Sequence, residues 1–407
     1  MKIPTNSMII SRNLLNQAVK QPVVDLKHAF RAVADTKTFY EFINQLNVSV
    51  SRRALALRDE EFRGLLTEIL GSKYYNYKYA SSLTAFVAKS GFNAAGWKLL
   101  PSLKVSFPHS THREASLTTW SLGKLRVSDR EITKLILQSF IEDKRVKLTQ
   151  ADVSMYLWGL SRLETNFSQD DLSDLKKVIE KFIENEDKAT SQGVLMQFSG
   201  ILKLFPDDED LLTKFADRIT FVCGPKHREP TQELISPLDE VKEAIPPKGI
   251  VALWVSLAEH YKSQKVIFPM CDSFRETLCE QTRTLGLSES FDDKLCGQLA
   301  KAVSVMKFKD PRVLHQLIHY VSNRTLFIRK EAYLQIVVSF ARLKITDPTA
   351  WRKLAGRFEK HAGGMSTDEL RLIEKCFRLA GKMTDRLSGV FELFRSLRED
   401  RDQYGDF

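Results

Sequence analysis

One arrangement of bulky apolar and small residues recurs along the chain. "TWSLGKLRV" (Thr119 to Val127) sets Ser121 and Gly123 among apolar neighbours. Nearly the same phrase returns as "LWGLSRLET" from Leu157, "FSGILKLFP" from Phe198 and "VVSFARLKI" from Val337. Aligned on the final apolar position, the copies end at Leu125, Leu163, Leu204, Leu343 and Leu379. Poorer copies end at Tyr261 and Met306, and a faint one near Ser90. The spacings are 35, 38, 41, 57, 45, 37 and 36 residues. A period of roughly 35–45 residues predicts an all-α solenoid of antiparallel helix pairs, stacked as in armadillo and HEAT arrays. About eight pairs fit the chain.

Each copy is followed by a short linker with a capping residue (Ser128, Ser168, Asp207, Asp310, Asp347 or Thr384) and then a second amphipathic stretch. "DPRVLHQLIHYV" and "DPTAWRKLAGRF" put proline directly after aspartate, which suits the first helical position after a cap. Within the motif, the small residues predict close approach of the neighbouring helix, with Trp120, Trp158 and the leucines filling the interface between units. Five of the 13 prolines fall between Gly224 and Gly249, where the spacing jumps to 57. This predicts an insertion or linker over 224–249 between two repeat halves, 25–223 and 250–407.

Composition agrees with this reading. The 407 residues are 43% apolar and 28% charged, with only 18 glycines, so the chain is globular and helix-rich. No apolar run reaches the roughly 20 residues of a membrane span. Five scattered cysteines without a CxxC pair imply buried thiols in a reducing compartment. Residues 1–24 carry Lys2, Arg12 and Lys20 and no carboxylate. That composition suits a mitochondrial targeting segment or a flexible N-terminal extension. The net charge of +10 is unevenly spread: 23 lysines and arginines against 12 carboxylates over 1–150, 17 against 26 over 151–300, and 21 against 13 over 301–407. Two basic ends point to a polyanion, and the acidic middle, 151–300, to a basic protein partner.

Candidate contacts concentrate on cations. The residue before the last leucine is Lys124, Arg162, Lys203, Arg342 or Arg378, and stacking would set these in a row. The row is either a phosphate-tracking stripe or a set of cations complementing helix C-terminal dipoles. "SKYYNYKYA" offers Lys73 and Lys78 with Tyr74 and Tyr77, a basic and aromatic mixture able to hold unpaired bases; an ordinary helix with half its tyrosines buried is the other reading. Further candidates for binding single-stranded RNA are Arg52, Arg53, Arg126, Lys144, Arg145, Lys147, Lys307, Lys309, Arg312 and Lys344. Catalytic signatures are missing: there is no P-loop, GxSxG elbow or dinucleotide fingerprint. His315 and His319 have metal spacing, but Gln316 stands where a zinc protease needs glutamate, and no third ligand is evident. The expectation is a protein without enzymatic activity, cofactor, metal or small-molecule substrate.

The phrases "TTWSLGKL", "YLWGLSRL" and "VVSFARL", each with its capped second helix, resemble the degenerate repeats of organellar RNA-binding proteins. Those are the heptatricopeptide and octotricopeptide groups and proteins with RAP or FAST-kinase-like repeats. The likeness spans roughly residues 80–400. "FRSLREDRDQYGDF" departs from the RAP pattern, so cleavage is not implied, and the irregular period does not support reading one base per repeat. The resemblance implies a mitochondrial matrix factor in RNA processing, RNA editing or mitoribosome assembly, acting as a subunit of a larger complex. The kinetoplastid guide-RNA editing machinery is one such setting. The alternative from the residues alone is an armadillo or HEAT-type protein-binding scaffold without RNA contact.

Overall fold

A computed structural model describes residues 60, 80–142, 148–163, 167–185, 189–224, 244–266, 268, 270–323 and 329–404. Among them are sixteen α-helices and no strand. The chain forms two compact units, residues 1–188 and 189–407. The first holds α1 (Ala80–Ser90), α2 (Asn93–Ser106), α3 (His112–Leu125), α4 (Arg130–Glu142), α5 (Gln150–Leu160) and α6 (Gln169–Asn185). The second begins with α7 (Ser191–Leu204), α8 (Glu209–Cys223), α9 (Pro247–Gln264), α10 (Asp272–Arg283) and α11 (Asp293–Val305). It continues with α12 (Pro311–Asn323), α13 (Lys330–Leu343), α14 (Pro348–Ala362), α15 (Thr367–Leu379) and α16 (Asp385–Tyr404).

Both units are solenoid stacks of two layers. In the first, α1, α3 and α5 pack side by side, and α2, α4 and α6 form the facing layer. In the second, α7, α9, α11, α13 and α15 make one layer, and α8, α10, α12, α14 and α16 the other. The recurring phrases fall at the C-terminal ends of odd-numbered helices, that of α5 running on through Leu163 into the following turn, and the capped stretches are the even-numbered ones. The core lies between the layers. Trp254 and Trp351 are wholly buried there, and their indole N–H groups donate to the Thr282 hydroxyl at 2.9 Å and the Ile345 carbonyl at 2.7 Å.

The even helices are capped much as the sequence implies. Ser168, Asp310, Asp347 and Thr384 accept from first-turn N–H groups. Two caps sit one residue later than expected: Asp129 and Asp208, not Ser128 and Asp207, accept from Ile132 and Leu211. In both cases the neighbouring residue also has a capping side chain, so the linear pattern could not choose.

Residues 225–243, most of the proline-rich stretch, lie outside the described residues, and Pro247 opens α9. The chain on either side of that stretch is fastened by buried Gln281. Its amide donates to the Cys223 carbonyl at 2.8 Å, and its oxygen accepts from the Ile245 N–H at 2.9 Å. Four of the five thiols are buried and Cys271 is half-buried; none is in a disulfide.

Candidate nucleic-acid interface

Six of the eight odd helices share a register fixed by their N-caps, Thr111, Thr149, Thr190, Asp292, Arg329 and Ser366; the longer α9, capped at Pro246, has exposed Glu259 thirteen residues on. At Thr111, Thr149 and Ser366 the cap is reciprocal, with Glu114, Asp152 and Glu369 accepting from the cap residue's own N–H. Thirteen residues beyond the caps stand Lys124, Arg162, Lys203, Val305, Arg342 and Leu379. The shared register thus puts a cation at this position in α3 and α5 of the first unit and in α7 and α13 of the second. At α15 the phrase is one residue out of step: Leu379 occupies the cation's position, and Arg378 lies on the neighbouring face, bonded to Glu374 at 2.8 Å. Helix α1 supplies a member that the sequence reading missed. Its last turn closes with the Phe92 N–H on the Val87 carbonyl, as Val127 closes α3 on Leu122, and this places exposed Lys89 in line with Lys124.

The register explains the small residues. The residue twelve after one cap meets the residue ten after the next. A side chain at Gly123 would stand 2.6 Å from the Gly159 carbonyl oxygen, and the Ser304 and Ser339 hydroxyls bond at 3.2 Å. The residue five after one cap meets the residue three after the next. Ser116 donates to Asp152 at 2.9 Å, and Gly297 lies against Ala332. Close approach of α3 and α5 also sets Trp120 beside Trp158, ring centroids 6.1 Å apart. The indoles are half-buried, not wholly interior as "filling the interface" would require. Lys124 sits over Trp120 at 5.1 Å and Arg162 over Trp158 at 4.3 Å. The cations cover the ring faces, so the indoles act as platforms that hold charge in place and not as open surfaces for a base.

A second set of cations ends the odd helices. Arg126, Lys265, Lys307 and Lys344 adopt left-handed backbone with φ of 54°, 60°, 54° and 57°. At three of these turns the next residue's N–H reaches back: Val127 to Leu122 at 3.2 Å, Phe308 to Val303 and Ile345 to Phe340 each at 3.0 Å. Glycine fills the same slot at Gly91 and Gly381, φ 71° and 64°, as the geometry favours. The signal was present in "LRV", "MKF" and "LKI", read beside "SGF" and "AGK", though it shows only once the helix end is fixed.

The turns joining odd to even helices thus gather exposed Lys89, Lys124 and Arg126, with half-buried Arg162, in the first unit. In the second unit they gather Lys203, and farther along Lys307, Lys309, Arg342 and Lys344, all exposed. Two carboxylates on this edge are engaged, while Asp207 is exposed. Asp129 accepts from the Ile132 N–H at 3.0 Å and from Lys104 at 2.6 Å, and Asp347 caps α14 at 2.7 Å. Arg312 is held inward: it bonds Asp310 at 3.1 Å, Glu276 at 2.5 Å and Glu280 at 2.9 Å, tying α10 to α12. Asp310, and then Glu276, push its pKa further up, and it holds the Asp310 carboxyl below the ordinary range. Its charge is spent within the fold.

Lys73, Tyr74, Tyr77, Lys78, Arg52, Arg53, Lys144, Arg145 and Lys147 lie outside the described residues, as do residues 1–24. His315 and His319 are exposed on α12 with ring centroids 6.2 Å apart. No group of three potential metal-binding side chains occurs among the described residues, and no described helix is long and apolar enough to cross a membrane. The chain matches no protein-family model and no curated protein.

Proposed function

We propose that this protein is a noncatalytic helical-repeat subunit of a mitochondrial RNA-handling complex, binding single-stranded RNA along its basic turns. The observation that carries the reading is the unbroken row Lys89, Lys124 and Arg162 on three packed neighbours, α1, α3 and α5, with Arg126 beside it. Successive repeats present one cation each at a repeating interval, and a flexible polyanion can follow such a row without base-specific contacts. The positive balance of residues 1–150 extends the attraction beyond the row, and the acid-free segment 1–24 supports matrix targeting. RNA editing, RNA processing and mitoribosome assembly all fit this chemistry.

The test is the salt dependence of binding to a single-stranded RNA oligonucleotide, for the parent and for the K89E/K124E/R162E variant. Single strands contribute about 0.7 to the log–log salt slope per phosphate contact, so losing three contacts lowers the slope by about 2. An unchanged slope and affinity would remove the row from the interface. A second reading, a protein-binding scaffold, draws on the 26 carboxylates against 17 cations over 151–300. It expects the same variant to lose protein partners while RNA binding stays as it was.

A further inference from the structure

Four of the eight large apolar side chains that stand exposed among the described residues lie on the final hairpin, α15 and α16: Leu372, Leu379, Leu393 and Leu397. Leu379 is 71% exposed and Leu372 44%. They lie seven residues apart on one side of α15, with exposed Lys375 between them and exposed Arg371 and Arg378 flanking. Asp368 is the one exposed carboxylate of the helix; Glu374 is drawn in by Arg378 at 2.8 Å and Arg395 at 2.5 Å.

Another repeat of the same kind would not cover this face. Inside the array, positions five and twelve after a cap are small or apolar: Ser116 and Gly123, Leu195 and Leu202, Gly297 and Ser304, Leu334 and Ala341, none of them charged. In α15 those positions are Arg371 and Arg378. A second copy meeting this face about a twofold axis would set Arg371, Lys375 and Arg378 against their own equivalents. RNA has no use for two aliphatic side chains, and a membrane surface calls for a broader apolar stripe than two leucines.

We propose that the exposed face of α15 docks an acidic amphipathic helix of a protein partner. Leucine-like side chains of that helix would cover Leu372 and Leu379, and its carboxylates would meet Arg371, Lys375 and Arg378. Apolar anchors ringed by complementary charge are how a groove selects one amphipathic helix over others. The proposal is independent of the RNA reading, which rests on α1, α3 and α5.

The experiment uses the full chain and fluorescence anisotropy with labelled helical peptides of about four turns, roughly 14 residues. One peptide carries leucines at i, i+3 and i+7 among glutamates, and its control replaces the glutamates with lysines. The acidic peptide should bind and the lysine peptide should not. L372S/L379S should weaken binding by about tenfold or more, the scale of a lost anchor pair. Both leucines are exposed, so its melting transition should match the parent's. K89E/K124E/R162E should bind the peptide as the parent does, which separates failure here from failure of the RNA reading. Equal binding of both peptides, or an acidic peptide indifferent to L372S/L379S, would overturn the proposal. So would finding that the leucine substitutions abolish instead binding to anionic vesicles, to RNA, or to a second copy in sedimentation.

Discussion

Replacing Gly159 by alanine tests whether the odd helices touch backbone to backbone. The new Cβ would stand 2.4 Å from the Thr119 carbonyl oxygen and 2.6 Å from its carbon, where ordinary contact begins at 3.4 Å. Neither is a flexible side-chain end, so α3 and α5 must part by about 1 Å, the difference between 3.4 and 2.4 Å. Overpacking of this kind costs about 1–3 kcal/mol. Separation also stretches the buried 2.9 Å bond from Ser116 to Asp152, whose loss costs about 1–3 kcal/mol. The intrinsic preference of a helix for alanine over glycine returns about 1 kcal/mol. A net loss of about 1–5 kcal/mol, centred near 3, follows from these terms. The two units need not unfold together, so the assay is hydrogen exchange of the α3 and α5 amides, which reads local opening. Gly356→Ala is the control: Gly356 is exposed on α14 with nothing within 4 Å, and alanine there should stabilise by about 0.8–1 kcal/mol. If Gly159→Ala behaved like Gly356→Ala, the close approach of α3 and α5 would be refuted.

Two further outcomes are expected. Arg126→Gly, Lys307→Gly and Lys344→Gly relieve left-handed backbone and should each raise stability by about 0.5–1 kcal/mol in thermal melts, while weakening RNA binding if these cations meet phosphate. Glycines that left stability unchanged would contradict the left-handed geometry. The Asp310 carboxyl titrates below its ordinary value of 3.8 because Arg312 bonds it, although burial pulls the other way. Its contribution is therefore fully present above that value and is lost as pH falls through the folded one. Asp310→Asn should lower stability at neutral pH by about 1.5–3 kcal/mol, the worth of a bond to a charged partner, and flatten the acid limb of urea midpoints against pH. An acid limb unchanged by the substitution would show that the pair contributes nothing.

Much of the architecture was written in local chemistry. A phrase returning every 35 to 45 residues or so, with a cap and a second amphipathic stretch after it, can only bury its apolar sides by stacking, and the layers of odd and even helices are that stack. Ser168, Asp310 and Asp347 act as caps because capping depends on residues within one turn, all present in the linear text. The repeating cation was legible for the same reason at Lys124 and Arg162 in the first unit and at Lys203 and Arg342 in the second, since it recurs at one place in the phrase.

What the tertiary structure decided was register and engagement. A phrase without a fixed helix start can be aligned one residue out, and one residue turns a helical position by about 100°. That is why Arg378 moved off the row, Leu379 onto it, and Lys89 entered it. Spacing alone did not reveal that Arg312 is tied to carboxylates on α10 and beside α12, or that indoles lie beneath Lys124 and Arg162. Whether a charge meets solvent or a partner depends on helices 30 or more residues away in sequence, as Glu280 is from Arg312. The chain's own text set which residues repeat; packing of neighbouring repeats set which of their charges face outward.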